Sequence, residues 1–202
     1  MPEEVLSYVR RFVDLDPAEA KLFTRQVQVM TCSARQVLTG MGEVENHIYF
    51  IRKGIVRKYF TKGKEEVTVQ LCSKGDLTSS IASFITGKPS DYVLETLEPS
   101  ALVFITRSGL DQLYSCGVNF EKMGRMIFLE AMLAKERWDM ERMLHSPLER
   151  FQSFNQKHPH LMQQVPQKYL ASLLDIEPET FSRYKARLAG HAAAKNHKKN
   201  AQ

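Results

Sequence analysis

The spacing of apolar residues divides the chain into stretches with different periods. Over residues 3–30 the period is helical: Val5, Val9, Phe12 and Val13 recur on one face. Asp16-Pro17 then reads as an N-cap followed by proline in the first turn of a second helix. Leu22, Phe23, Val27 and Val29 follow and turn towards strand character. From about residue 30 to 110 the pattern is that of strands. HIYFIRKGIVRKYF gives two β-rich runs on either side of Gly54, and KGKEEVTVQLCSKGD alternates Val67, Val69 and Leu71 on one face. DYVLETLEPSALVFITR supplies two more strands, broken at Pro99-Ser100. Short strands separated by Gly, Pro and Lys-Gly turns predict an antiparallel sandwich or jelly roll. There is no βαβ alternation, GxGxxG or Walker loop.

Residues 118–144, VNFEKMGRMIFLEAMLAKERWDMERML, read as one helix, which would span ~40 Å at the usual rise per residue. It carries two apolar stripes. Met126, Leu129, Leu133, Met140 and Met143 form one, and Phe120, Met123, Ile127, Ala131, Ala134 and Trp138 the other. One stripe can pack on the β-domain. The second needs another surface, either the same helix of a second subunit or the interior of a monomer, and the first is the simpler. Ser146-Pro147 restarts a helix, and residues 147–188 read as a three-helix remainder, PLERFQSFNQK ending before Pro159.

The last two of those helices have a particular layout. QKYLASLL places Leu170, Ala171 and Leu174 inward, Asp175-Ile176-Glu177 makes a tight turn, and Pro178 opens a second helix at its allowed first position. Phe181, Tyr184 or Lys185, and Leu188 would face in, with Ile176 plugging the corner. This is the layout of a helix-turn-helix, or of a helical hairpin that merely packs. The second helix presents Glu179, Thr180, Ser182, Arg183 and Arg187 on a polar face. Arginine can donate a bidentate pair to guanine, and glutamate can accept from the cytosine amino group. Thr180, Ser182, Gln167 and Lys168 suit phosphate oxygens.

Charge sharpens this reading. The net +5 is unevenly placed: residues 1–145 hold 19 basic and 19 acidic side chains, residues 146–202 hold 9 and 4. An excess confined to the C-terminal part favours a polyanion partner there. With 43% apolar and 25% charged residues an ordinary core is expected. No apolar run approaches membrane-spanning length, and no signal pattern opens the chain, so a cytoplasmic protein without a membrane partner is expected. Cys32, Cys72 and Cys116 are odd in number and far apart, which argues for reduced core or near-core residues, not disulfides or a metal set. Neither a metal nor a cofactor is expected.

With these residues in view, the whole chain resembles a transcription regulator of the Crp/Fnr family. IYFIRKGIVRKYF is similar to the family's strand–glycine–strand hairpin, and KGDLTSSIASF to the opening of its phosphate cassette, with Gly75 and Asp76 in the Gly-Glu positions. PETFSRYKARL resembles its recognition helix, Glu179 and Arg183 matching the base-reading acid and arginine. The resemblance implies an α+β chain. A cyclic-nucleotide-binding-like antiparallel β-roll, jelly-roll-like with flanking helices, would occupy residues 1–117. A dimerisation helix (118–145), a helix-turn-helix domain (146–190) and a basic flexible tail (191–202) would follow.

The resemblance implies a homodimer on double-stranded DNA, with RNA polymerase as a further partner. Its effector site would fall on Gly75, Asp76, Ser79, Ser80, Ser90 and Asp91, and its dimer contact on the Met126–Met143 stripe. Two departures stand out. Asp175 occupies a turn position that is usually glycine. Family members that bind cyclic nucleotides close the cassette with an arginine; here the stretch reads Pro89-Ser90-Asp91, and no arginine lies between Asp76 and Arg107. A bidentate phosphate contact is lost, Asp91 adds repulsion, and Lys88 is only a flexible point charge. Cyclic AMP is therefore not expected as the ligand; the effector is unknown or absent. His47, a candidate haem ligand by position, reads as a surface polar residue. No nucleophile elbow, paired carboxylates or metal set points to an enzyme. The competing reading is a ligand- or partner-binding regulatory module with a non-functional helix-turn-helix.

Overall fold

A computed structural model describes the backbone of residues 3–199 and the side chains through Leu188. The chain divides into two compact units, residues 1–136 and 137–202. The tail expected at 191–202 lies outside the described side chains, and residues 200–202 outside the described backbone.

In the first unit the capping signals start the helices. α1 (Glu3–Val9) is followed by α2 (Pro17–Gln26), whose N-cap Asp16 accepts from the amides of Ala18 and Glu19 while Glu19 reaches back to the Asp16 amide. Eight strands follow among the described residues: β1 (Val27–Cys32), β2 (Val37–Thr39), β3 (His47–Lys53), β4 (Val56–Lys62), β5 (Glu65–Cys72), β6 (Leu77–Thr78), β7 (Val93–Thr96) and β8 (Ser100–Thr106). They form two antiparallel four-stranded sheets, ordered β1-β8-β3-β6 and β2-β7-β4-β5. Gly54 makes the β3–β4 turn at φ +94°, where an added Cβ would stand 2.1 Å from Ser100 Oγ. Only glycine meets both demands.

Tyr49, Ile51, Val56, Cys72, Leu94 and Leu102 fill one core cluster. β5 differs from the expected alternation, because it buries Thr68 and Cys72 and leaves Val67, Val69 and Leu71 half-buried. Cys72 pairs with Val56 and joins the core. Leu71 pairs with Arg57, whose guanidinium is held by Thr68, Glu66 and Glu95.

Two helices of this unit were not legible in the sequence. α3 (Ile81–Thr86) sits between β6 and β7. α4 (Arg107–Cys116) follows β8 directly, started by Thr106, whose hydroxyl accepts from the Gly109 amide. Cys116, expected near the core, ends α4 exposed. The long helix α5 (Val118–Leu144) has the predicted extent. Its first turns bury Phe120 and Met123 with Val5, Val9, Phe50 and Leu113. Gly124 lets it approach Tyr114, since a Cβ there would lie 2.0 Å from the phenol oxygen. Beyond Met123, Met126, Leu129 and Leu133 are exposed.

In the second unit α6 (Pro147–Lys157) starts at the predicted Ser146 N-cap, completed as a capping box by Glu149. The remainder has one helix more than expected. Pro159, read as a stop, opens α7 (Pro159–Gln164) at the first-turn position where its missing N–H costs nothing, and Leu161 and Met162 are buried there. α8 (Gln167–Leu174) and α9 (Pro178–Lys199) complete the unit. Phe151, Leu170, Ala171, Leu174 and Phe181 are at most 1% exposed. The Phe151 ring meets that of Phe181 edge-on at 5.1 Å, adding about 1 kcal/mol to what area burial provides.

Candidate nucleic-acid interface and effector segment

The α8–α9 corner is a closed turn. Asp175 takes the left-handed conformation (φ 54°, ψ 54°), which a short polar side chain tolerates better than most. This turns the chain back so that the Ile176 amide donates to the Ala171 carbonyl at 3.0 Å and Ile176 itself is buried. The Ala171 and Ser172 carbonyls near the end of α8 are satisfied by the turn's own amides. With Ala171, Ile176 and Phe181 inward, the opposite face is outward. Gln167, Lys168, Glu179, Ser182, Arg183 and Arg187 are exposed, and Thr180 is half-buried. Arg183 donates to Thr180 Oγ1 at 3.4 Å. A concavity of about 450 Å³ opens beside the turn, lined by Pro147, Asp175, Ile176, Glu177, Thr180, Arg183 and Tyr184. All seven residues assigned to DNA from the sequence thus lie on the two helices that the turn joins.

The six residues assigned to an effector do not stay together. Gly75 (φ +95°) and Asp76 are exposed and form the turn into β6, the Asp76 carboxylate accepting from the Ser73 amide at 2.8 Å. The pair is occupied as a turn, and its carboxylate is engaged by its own loop. Asp91 is also exposed. Ser79, Ser80 and Ser90 are buried and tied inward. Ser79 donates to the His47 carbonyl at 2.9 Å, and Ser90 Oγ lies 2.7 Å from Ser80 Oγ and 2.8 Å from the Tyr92 carbonyl.

Beside these serines is a carboxylate that the sequence did not single out. Glu45 is 1% exposed. It accepts from Thr39 Oγ1 at 2.6 Å and from the His47 amide at 2.9 Å, with His47 Nδ1 3.7 Å away. Burial pushes the carboxyl up, but hydrogen bonds from His47, Thr39 and the His47 and Ser80 amides outweigh it and hold it below the usual range. His47, read as a surface residue, is half-buried, its ring edge-on to Phe104 and near the Glu45 carboxylate. Lys58 donates to the Ser79 carbonyl at 2.9 Å and lies over the Tyr92 ring; burial lowers its pKa. Arg107 donates to the carbonyls of Glu45 and Ser83. Lys88, the candidate phosphate partner, is exposed, and its carbonyl accepts from Ser83. Among the described residues no cluster of three or more His, Cys, Asp or Glu could hold a metal, and no helix is long and apolar enough to cross a membrane.

Residues 29–115 match the model of the cyclic nucleotide-binding domain family, and the Glu45 network falls within the matched segment. Over most of its length the chain shares the fold of bacterial regulators. FixK2 from Bradyrhizobium japonicum superposes with a TM-score of 0.68 at 16% identity, over 82% of this chain and 86% of that one. A protein described as a Crp/Fnr-family transcriptional regulator from Eubacterium rectale gives 0.67 at 13%, over 88% and 85%. The Thermus thermophilus catabolite activator protein gives 0.54 at 22%, over 90% and 87%. The α+β fold implied by the Crp/Fnr resemblance is the fold observed. No curated protein matches the sequence.

Proposed function

We propose that the protein is a homodimeric, DNA-binding transcription regulator that works without cyclic AMP. The observation that carries the reading is the corner at Asp175. It buries Ala171, Ile176 and Phe181 and leaves Glu179, Ser182, Arg183 and Arg187 exposed on the helix that follows the turn. In a complex, α9 would enter the major groove with Arg183 and Glu179 on base edges, while Gln167, Lys168 and Thr180 contact phosphates. The exposed apolar side chains of α5, Met126, Leu129, Leu133, Met140 and Met143, support pairing with the same helix of a second copy. Two recognition helices would then meet successive major grooves ~34 Å apart on a roughly palindromic site.

The sensor reading rests on charge. A cyclic nucleotide's phosphate approaching Ser79 and Ser80 would meet hydroxyls already bonded inward and the Glu45 carboxylate held in its charged form, while the nearby cations Lys58 and Arg107 are engaged by backbone carbonyls. Placing two anions together in a poorly solvated site is unfavourable. The test is selection of bound DNA from a random pool by the purified protein, with and without cyclic AMP and cyclic GMP, beside calorimetric titration of each nucleotide. The expected result is one enriched palindrome in every condition and no heat of binding. Enrichment that requires a nucleotide would overturn the sensor reading. No enrichment in any condition would overturn the DNA reading.

A further inference from the structure

Within the second unit one side chain holds the ends of two other helices at once. Arg150 lies on α6, one turn past the Ser146 N-cap. Its Nε donates to the Leu174 carbonyl at 2.9 Å and one terminal nitrogen to the Asp175 carbonyl at 2.9 Å. The other terminal nitrogen donates to the His145 carbonyl at 2.8 Å and lies 3.5 Å from the Arg142 carbonyl. These acceptors belong to two places: the C-terminal end of α8 with its turn, and the C-terminal end of α5.

The chemistry fits the residue. The last carbonyls of a helix have no partner within it and carry partial negative charge. A guanidinium presents its donors in one rigid plane, so binding two helix ends fixes their mutual orientation as well as satisfying them. The corner between α5 and α6 is also spanned by the ion pair of Lys157 with Glu141, and α6 has its own start in the Ser146–Glu149 capping box. The helix-turn-helix is thus tied to the end of α5 by a planar clip and not only by the chain. None of these contacts uses a group that would face a base.

We propose that Arg150 is a positioning residue that sets the angle between the end of α5 and the α8–α9 pair. In the dimer it thereby sets the separation of the two recognition helices. It determines which spacing of half-sites is bound, not which bases are read. The inference rests on the DNA-binding dimer proposed above. A change of angle at this corner is doubled by the two-fold axis of a dimer, and half-sites must keep helical phase to be bound together.

The experiment uses the full chain and the half-site sequence selected by the wild type. Two copies are placed at spacers varied one base pair at a time, and affinities of wild type, Arg150→Met and Arg150→Lys are measured at several salt concentrations. Wild type is expected to lose about tenfold or more away from its preferred spacing, as a misphased second half-site is forfeited. Arg150→Met should flatten this profile to about threefold or less while keeping the same base preference and the same dimeric mass. Arg150→Lys, which keeps the charge but not the planar fork, should fall between, and it serves alone if the methionine variant does not fold. An unchanged spacing profile with a uniform loss of affinity in the folded variants would overturn the proposal and leave the DNA reading standing. So would a salt slope reduced by about one with spacing preserved, which marks a phosphate contact. If wild type enriches no site at all, the DNA reading falls and this inference with it.

Discussion

The effector segment and the α8–α9 face carry similar numbers of polar side chains and use them in opposite ways. Around Glu45 the polar groups point inward and satisfy one another: Thr39, His47 and Ser80 on the carboxylate, Ser90 on Ser80, Lys58 on Ser79. On α8 and α9 the apolar residues point inward, and Gln167, Lys168, Glu179, Ser182 and Arg183 face outward. A polar group that is already bonded inside is costly to recruit for a ligand, because each lost bond leaves a buried partner unsatisfied. One that faces water exchanges solvent for a partner at little cost. The first region therefore spends its polar groups on internal bonds, and the second leaves them on the surface.

Breaking the inward network should give the largest change in stability. Glu45→Ala leaves the Thr39 hydroxyl and the His47 and Ser80 amides without their acceptor, at an expected cost of about 3 kcal/mol in denaturant or thermal unfolding. The same carboxylate predicts a pH dependence. Its pKa is lowered on folding, so its contribution is fully present above the unfolded value near 4.5 and is lost as pH falls through the folded one. The stability gap between wild type and Glu45→Gln should hold steady from pH 7 to 5 and shrink below pH 4.5. A gap independent of pH would mean that Glu45 acts by shape alone.

On the outward face the same kind of change should leave folding untouched. Arg183→Ala removes an exposed side chain with one long bond to Thr180, so unfolding should shift by no more than about 0.5 kcal/mol. Binding to the selected DNA should weaken by about 1–3 kcal/mol, and binding to random DNA far less, if the guanidinium reads a base. Equal losses on both DNAs would move Arg183 to the phosphate backbone. Lys168→Ala is the counterpart. It should weaken both DNAs alike and lower the salt slope by about one.

The two regions also differed in how far they could be read from the sequence. The α8–α9 face was legible because its signals are local: Pro178 at a helix start, Ile176 in the turn, and apolar residues three and four apart. The extent of α5 was legible for the same reason, with its end marked by the Ser146-Pro147 restart. The Glu45 network is assembled from positions 39, 45, 47, 58, 79, 80 and 90, which only sheet pairing and the α3 corner bring together. Within its own stretch Glu45 is one more acid in a polar loop. Gly75-Asp76 is ambiguous for the converse reason, because a glycine followed by an acid suits a tight turn as well as a binding cassette. α4 was hidden because it follows β8 without a break, its only local sign being the Thr106 cap.

The smallest effect tests the one position where the outward region departs from its usual chemistry. Asp175 holds the turn at φ 54°, and the contacts made there come from its backbone: its amide to the carbonyls of Ala171 and Ser172, its carbonyl to Arg150. If the backbone geometry is what the corner needs, glycine should adopt it without strain and alanine should not. Asp175→Gly should then raise stability by roughly 0.5 kcal/mol, the relief of left-handed strain being partly offset by the greater freedom of the unfolded chain. Asp175→Ala should lower it by about 1 kcal/mol. Neither should alter which DNA sequence is selected, because Glu179 and Arg183, the side chains proposed to read bases, are unchanged. A glycine variant less stable than wild type would show that the carboxylate itself supports the turn, as Asp side chains do when they bond local backbone. In that case the corner follows the logic of Glu45, a polar group retained for what it holds in place, and the contrast between the two regions narrows to the exposed surface of α9.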